Sequence, residues 1–483
     1  MASVKKNFFY SALLTGANYI FPLIVFPYVS RVLGVTNLGA CNFVDSIVQY
    51  FIIFSMLGID VVGIREIAKA KGEKDKLNQC FSSLFSINTA LTSIALVVYL
   101  VCIYSIPKLH DHLELMWIGA AKLCFNYLLI EWLFKGLEEF KFITSRSLII
   151  KTLYVISVFV FVKKPSDYLV FFLLTSLIVV LNALVNCIYS RKYVSFSFRS
   201  INIKAFLPSI LLLGVYAILT NMYTTFNVAF LGFSAGETEV GYYTTANKLF
   251  AIALSLFTAL TGVLLPRMSA LIAENQLSGY KNLLGKTTDF LVAVSFPVIA
   301  FVVFFAPEII RLISGKGYEG AIVPLRIIIP LLFVIGYEQV LVIQGLMPLK
   351  KDRAVLINSI IGASIGITCN IMLVPVLKSI GSSIVWVISE LAVLLVAQCF
   401  MRHYTEVRFP WAKVLLNMGY TVPLAIMLLL LKMTPFPYIV TLFLAAAITG
   451  AYTIVLQLCI LKNPSVLQVF HEIKDKFKRT DRR

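Results

Sequence analysis

The chain has 483 residues, 59% of them hydrophobic and only 14% charged, with a formal net charge of +18 at pH 7. Soluble chains carry roughly a quarter of their residues as charges, so a soluble chain is excluded and a polytopic membrane protein is indicated. The excess Lys and Arg gathers in short connections on one side of the apolar spans, the positive-inside pattern, which argues against a nucleic-acid partner.

Apolar segments fall at residues 9–31, 40–64, 80–105, 115–136, 147–162, 168–190, 205–233, 242–266, 287–306, 324–347, 354–376, 382–401, 414–433 and 438–461. At 1.5 Å rise per residue, about 20 residues cross a ~30 Å hydrocarbon core. The expected fold class is therefore an all-α polytopic membrane protein with about fourteen transmembrane helices. An even number of spans puts both termini on one side, and the Lys and Arg bias places that side in the cytoplasm. Lys5 and Lys6 precede a first span too long for a signal h-region, with no small-x-small cleavage site, so that span is expected to be an uncleaved anchor.

The first two spans depart from lipid-facing composition. The first carries Asn18, Pro22 and Pro27, and the second carries Asp45, Gln49 and Asp60. Polar and helix-breaking groups persist at membrane depth only against protein or a wet cavity. This hairpin is expected to form a cavity wall.

An internal repeat appears at an offset of 202 residues. Gly34-x-Thr36-x-Leu38-Gly39 matches Gly236-x-Thr238-x-Val240-Gly241, and the same offset pairs Asp45 with Asn247 and Arg65 with Arg267. Two six-helix lobes are expected, residues 1–200 and 201–403, followed by a helix pair at 404–463 and a basic cytoplasmic tail at 464–483. Repeats of six spans share topology, so a binding site is expected between them. The eight cysteines lie in or beside apolar stretches without a CxxC pair, which favours core or lipid-facing roles over metal or disulfide chemistry.

Several intramembrane groups are candidates for function. Lys248 lies seven residues into the eighth span, within GYYTTANKLF (Gly241–Phe250). A lysine there binds an anion such as pyrophosphate, because a point charge attracts strongly in low dielectric; the alternative is that it snorkels to the headgroups. Asp45 sits at the corresponding depth of the second span. It either pairs with Lys248, takes up a proton or sodium ion during a cycle, or is purely structural. Lys122, with Asn126 one turn below, is a second candidate cavity cation, whereas Glu131 and Lys135 have the i, i+4 order of a local salt bridge. Asn221, Thr224, Thr225 and Asn227 form a polar stripe suited either to a hydroxyl-rich ligand or to helix–helix hydrogen bonds. Glu338 and Glu390 are intramembrane carboxylates without an evident partner, candidates for ion coupling. Arg65 and Glu66, with Arg267 as the repeat mate of Arg65, suit an inner gate or ordinary positive-inside flanking. His110 and His112 flank Asp111 in a short outer loop and read as solvated. The chain has no P-loop spacing, no HExxH and no DxD-like pair, so no cofactor is expected, and any uphill work must draw on a H+ or Na+ gradient or on trapping of the product on the far side.

NYIFPLIVFPYVSRVLG (Asn18–Gly34), GIREIAK (Gly63–Lys69), GYYTTANKLF, QGLMPLKKDRAVLINSIIG (Gln344–Gly362) and NIMLVPVLKSIGSSIVWVISEL (Asn370–Leu391) resemble the prokaryotic lipid-linked oligosaccharide flippases, the Wzx-type polysaccharide exporters. That family belongs to a superfamily with the multidrug and toxin exporters and the lipid II flippase. The resemblance implies two lobes around a central cationic cavity that opens alternately inward and outward. It implies an undecaprenyl-pyrophosphate-linked glycan as substrate, an O-antigen or capsule repeat unit carried to the outer leaflet of a bacterial inner membrane. A basic residue stands in the lipid II flippase where Lys248 stands here, and Arg31, the arginine of the first span, joins Lys248, Lys122, Asn18, Asn221 and Thr225 as the implied cavity set. Membrane lipids, a polysaccharide polymerase and chain-length machinery are the implied partners. Two other functions remain open: a cation-coupled drug exporter, which would want an acidic, apolar cavity, and a membrane polymerase or ligase, which would want a long external loop.

Overall fold

The computed structural model describes residues 2–197 and 201–461, with the side chains of residues 2–5, 8, 216, 217, 219–224, 459 and 460 outside that description. The expected basic tail at 464–483 lies outside the described residues. Among the described residues there is helix and turn but no strand. Hydrocarbon offers backbone N–H and C=O groups no partner, so each span satisfies its own as a helix.

In order, α1 (Ala2–Met56) and α2 (Ile59–Ala70) carry the first two predicted spans, and α3 (Lys74–Ser105) the third. The short α4 (Pro107–His110) leads to α5 (Leu113–Asn126) and α6 (Glu131–Gly136), then α7 (Phe140–Phe161), α8 (Tyr168–Ser190) and α9 (Ile203–Ala235). Next come α10 (Glu237–Ala273), α11 (Leu277–Ile313), α12 (Ile322–Ile328), α13 (Leu331–Leu341), α14 (Asp352–Thr405), α15 (Trp411–Lys432) and α16 (Tyr438–Val455). Among the described residues, eleven stretches are long and apolar enough to cross a membrane. Two of them, Phe9–Ala70 and Asp352–Thr405, each hold two of the predicted spans, and α9 supplies one more, so the fourteen predicted segments are all helical. This is a multi-pass, all-helical membrane protein.

Several predicted spans are less regular than their apolar runs imply. The second breaks at Leu57 (φ 40°), and the fourth breaks before α6 at Ile130 (φ 33°), a buried side chain in left-handed backbone. Neither residue favours that conformation by itself, so packing of the neighbouring helices imposes it.

The distribution of polarity is inverted relative to a soluble protein. On α3, Ile94, Val97, Val98, Val101 and Tyr104 are exposed along one stripe, while Asn88, Thr92 and Tyr99 are buried on the other face. Apolar residues face lipid and polar ones face protein, because burial against other helices provides the hydrogen bonds that lipid cannot. Tyr99, for instance, donates from Oη to the Met116 carbonyl at 2.7 Å.

Two compact units emerge. Unit 1 takes the described residues up to Thr244 together with Ser314–Gly317 and Asn370–Ser382. Within it α1 packs on α3, α7 and α9, α5 on α8, and α2 on α6. Its core gathers Ile59, Val62, Phe81, Leu84, Trp132 and Phe134. Unit 2 comprises Thr245–Ile313, Tyr318–Cys369 and the described residues from Ser383 onward. There α11 packs on α12, α13, α15 and α16, with Phe305, Leu424, Leu428 and Leu442 in a shared cluster.

Candidate functional site

Two glycine corners organise unit 1. At Gly34, inside α1, φ is 75° and ψ 169°; at Gly236, between α9 and α10, φ is 87° and ψ 179°. That backbone region is essentially open to glycine alone. Its consequence is the same at both places: one helix ends and the next begins with almost no loop. The two corners are also in contact through repeat mates. The hydroxyls of Thr36 and Thr238 lie 2.8 Å apart, and Asn42 Nδ2 donates to Thr244 Oγ1 at 3.0 Å. A Cβ on Gly39 would run into the Glu237 carbonyl oxygen, and a Cβ on Gly241 into that of Val35. Val35 and Glu237 are themselves 202 residues apart, so the contact is reciprocal, as across a local two-fold axis.

Other connections fasten the same corner. Glu237 Oε1 accepts from Lys108 Nζ at 2.5 Å and meets His112 Nε2 at 2.9 Å. The sequence reading of His112 as solvated is therefore corrected: the turn between α3 and α5 carries it onto the start of α10. Glu239 Oε2 accepts from Ser379 Oγ at 2.5 Å and from its backbone N–H at 3.2 Å. Arg31 lies along Gly315, where a Cβ would stand 3.0 Å from Arg31 Cγ. Short connections from four parts of the chain thus converge on one junction.

Away from that junction, unit 1 carries its charges in pairs. Lys122 Nζ on α5 donates to Asp45 Oδ1 on α1 at 2.5 Å; the lysine side chain is 9% exposed and the aspartate 39%. Below it, Asn126 Nδ2 donates to Ser55 Oγ at 3.2 Å. Glu131 receives Lys135 at 3.3 Å, the expected i, i+4 pair, and also Arg146 from α7 at 2.7 Å. Arg146, 3% exposed in its side chain, donates to Asn186 Oδ1 on α8, whose amide in turn donates to the Leu129 carbonyl. Lys151, one and a half turns along α7, donates to Asn18 Oδ1 on α1. The segments α1, α5, α6 and α7 therefore present four cations, Lys122, Lys135, Arg146 and Lys151, against the carboxylates of Asp45 and Glu131.

The remaining candidates are placed as follows. Thr225 is half-buried on α9, and the side chain of Asn221 on the same helix lies outside the description. Asn227 is tied to neighbouring segments, accepting from Asn370 Nδ2 and donating to Tyr243 Oη at 3.3 Å, the helix–helix alternative for the α9 stripe. Arg65 donates to Glu66 at 2.7 Å and Lys69 joins at 3.0 Å, an exposed cluster near the end of α2. In unit 2, Lys248 is half-buried on α10 and Arg267 exposed near the end of that helix. Glu390 is buried on α14 and accepts from Trp386 Nε1 at 3.0 Å; its charge is felt at Glu338 on α13, so the two carboxylates are electrostatic neighbours.

A family model described as "Polysaccharide biosynthesis protein" matches residues 4–272, more than half of the chain. The chain belongs to that family. This polysaccharide biosynthesis protein is 26% identical over 406 residues to the "Putative O-antigen transporter" of Escherichia coli K12, covering 83% of this chain and 97% of the relative. It is also 26% identical over 370 residues to the protein of the same name from Shigella dysenteriae, covering 74% and 90%. Among solved structures, the lipid II flippase MurJ in an inward closed conformation aligns with a TM-score of 0.76 at 14% identity, over 94% of this chain and all of that one. An inward-facing multidrug resistance MATE transporter of the MOP superfamily aligns with a TM-score of 0.61 at 16% identity, over 80% and 94%. At such identities the likeness establishes a shared fold.

Sequence reasoning missed three side chains of this family member's charged wall. Arg146 reads as the flank of a span, Lys151 sits unremarked inside an apolar run, and Asn186 lies in another. The signal for the first two was present: Lys141, Arg146 and Lys151 recur every five residues from the start of α7 to its middle, with no acidic residue on that helix. For Asn186 the hint was two amides one turn apart, Asn182 and Asn186, in a run of Leu, Ile and Val.

Proposed function

We propose that the protein is a flippase that moves an undecaprenyl-pyrophosphate-linked oligosaccharide, an O-antigen or capsule repeat unit, from the cytoplasmic to the outer leaflet by alternating access. The observation that carries this reading is the similarity to proteins named as O-antigen transporters along 97% of the relative's length. The chemistry of unit 1 agrees with it. A pyrophosphate bearing sugars cannot enter hydrocarbon unaided, and a wall with Lys122, Lys151 and Asn18 offers cations and an amide at membrane depth.

In this reading two six-helix lobes, residues 1–200 and 201–403, rock against each other. Lys248, Lys122, Arg31, Asn18, Asn221 and Thr225 line the path of the headgroup. Asp45, Glu338 and Glu390 take up the coupling H+ or Na+. Arg65, Glu66 and Arg267 close the inner gate, and the glycine corners close the outer one. The protein sits in a bacterial inner membrane with both termini in the cytoplasm, delivers its glycan to a polymerase with its chain-length machinery, and acts as a transporter with no resident cofactor.

The test is translocation by purified protein in liposomes, using a fluorescent polyprenyl-pyrophosphate glycan and an external glycan-cleaving enzyme. Wild type should expose the glycan, and Lys248→Ala should lose that activity with folding unchanged. Failure of wild type across several glycans, combined with proton-driven efflux of lipophilic cations, would replace the flippase reading with a drug exporter.

A further inference from the structure

Unit 2 contains a cavity of about 240 Å³ between the end of α10 and the start of α11. Arg267 lines it from α10, and Lys286 and Asn282 line it from one face of α11, with Gln276 at the connection and Leu271 in its wall. Among the described residues neither Arg267 nor Lys286 has an ion-pair or hydrogen-bond partner. Two cations facing one small volume repel each other, and an anion between them reverses the sign of that interaction. Gly279 belongs to the same lining, and a Cβ there would stand 3.3 Å from Leu271 Cδ2, so the room exists partly because this position has no side chain. A water occupies about 30 Å³ of liquid, so the cavity holds a phosphate group with several waters.

We propose that this cavity binds the phosphate of a membrane lipid, with Arg267 and Lys286 on the anionic oxygens and the side-chain amides of Gln276 and Asn282 as further donors. An arginine fork and a lysine point charge are complementary phosphate ligands. Leu271 supplies apolar contact for the glycerol or prenyl carbons next to the phosphate. Two lipids share this chemistry: an ordinary anionic phospholipid, and the polyprenyl pyrophosphate of a glycan carrier. The second source rests on the flippase reading; the first does not.

The experiment is a binding titration on the purified full-length protein, read by native mass spectrometry, with phosphatidylglycerol and undecaprenyl pyrophosphate as probes. Phosphatidylcholine and inorganic phosphate are the controls. Arg267→Gln combined with Lys286→Gln should weaken lipid binding about thirtyfold, and either change alone about fivefold, as expected for surface cations facing an anionic lipid. Gly279→Leu keeps both charges but fills the space, and should weaken binding as strongly as the double charge variant. Weakening confined to phosphatidylglycerol assigns the site to ordinary lipid, weakening confined to undecaprenyl pyrophosphate assigns it to the carrier, and weakening of both supports the shared chemistry. The proposal is overturned if both lipids bind the folded single variants as they bind wild type. It is equally overturned if phosphatidylcholine binds as well as phosphatidylglycerol, or if inorganic phosphate alone occupies the site with the lipids' affinity.

Discussion

Gly39→Ala tests the reciprocal corner directly. The added methyl would stand 2.8 Å from the Glu237 carbonyl carbon and 2.9 Å from the Gly241 nitrogen, and closer still to the Glu237 oxygen. Relaxed contacts of carbon lie at about 3.5–4.0 Å, and the Glu237 oxygen is the nearest atom, so the corners must part by more than about 1 Å. Backbone lies on both sides, so no flexible side chain can swing away. The hydrogen bonds beside it, Thr36 to Thr238 at 2.8 Å and Asn42 to Thr244 at 3.0 Å, then stretch beyond good geometry. Each is worth about 0.5–1.5 kcal/mol, and overpacking adds about 1–3 kcal/mol, so the closed junction loses about 2–6 kcal/mol. At about 1.4 kcal/mol per decade, its opening should be favoured roughly thirtyfold at the least.

The assay is labelling of Val240→Cys, a buried position next to Gly241 in the chain, by a membrane-impermeant maleimide in spheroplasts, in a background without the eight native cysteines. Labelling should rise sharply in Gly39→Ala and equally in Gly241→Ala. The double variant should add little, because the first substitution has already separated the surfaces the second would clash with. Gly34→Ala is the contrasting case. No atom lies within 4 Å of its Cβ position, and its penalty comes only from the φ of 75°, so it should cost folding stability of about 1–3 kcal/mol without opening the corner selectively. Unchanged labelling of well-folded Gly39→Ala would refute the argument.

Arg146→Met removes the cation that holds Glu131 and Asn186, and should cost about 3 kcal/mol, seen as a lower thermal midpoint in detergent; adding Glu131→Gln should recover part of it, and equal midpoints would sink the pairing argument. Lys122→Met should abolish translocation while Lys122→Arg retains some, and the neutralised pair Lys122→Met with Asp45→Asn should fold well yet stay inactive. Restored transport in that pair would make the lysine structural. Glu390→Gln preserves an acceptor for Trp386 Nε1 and should leave expression intact while removing the response of transport to an imposed pH gradient; a full response in the variant would exclude Glu390 from coupling.

Composition and period determined the broad outcome. Long apolar runs in a chain with few charges have no stable form in lipid other than helices, so the fourteen segments and the all-helical class could be read directly. The repeat was also legible, because a backbone region accessible only to glycine leaves a glycine in the sequence at each corner. Glu131 and Lys135 were legible for a similar reason: four residues on one helix are neighbours whatever the rest of the chain does.

Partners across helices were not. Asp45 had two lysines at a plausible depth, and the packing of α5 beside α1 is what brings Lys122 to it. Arg146 reaches Glu131 only because the turn from α6 to α7, with Glu138 at φ 64°, folds α7 back along its neighbour. His112 meets Glu237 and Ser379 meets Glu239 across separations of 125 and 140 residues. Nor does a repeat motif disclose that its two copies touch; Gly39 and Gly241 could have lain on opposite sides of the molecule. Local chemistry sets what each segment is, because helix formation in lipid is decided within the segment. Which charge answers which is decided by side-chain contacts between helices, and those exist only once the helices have packed.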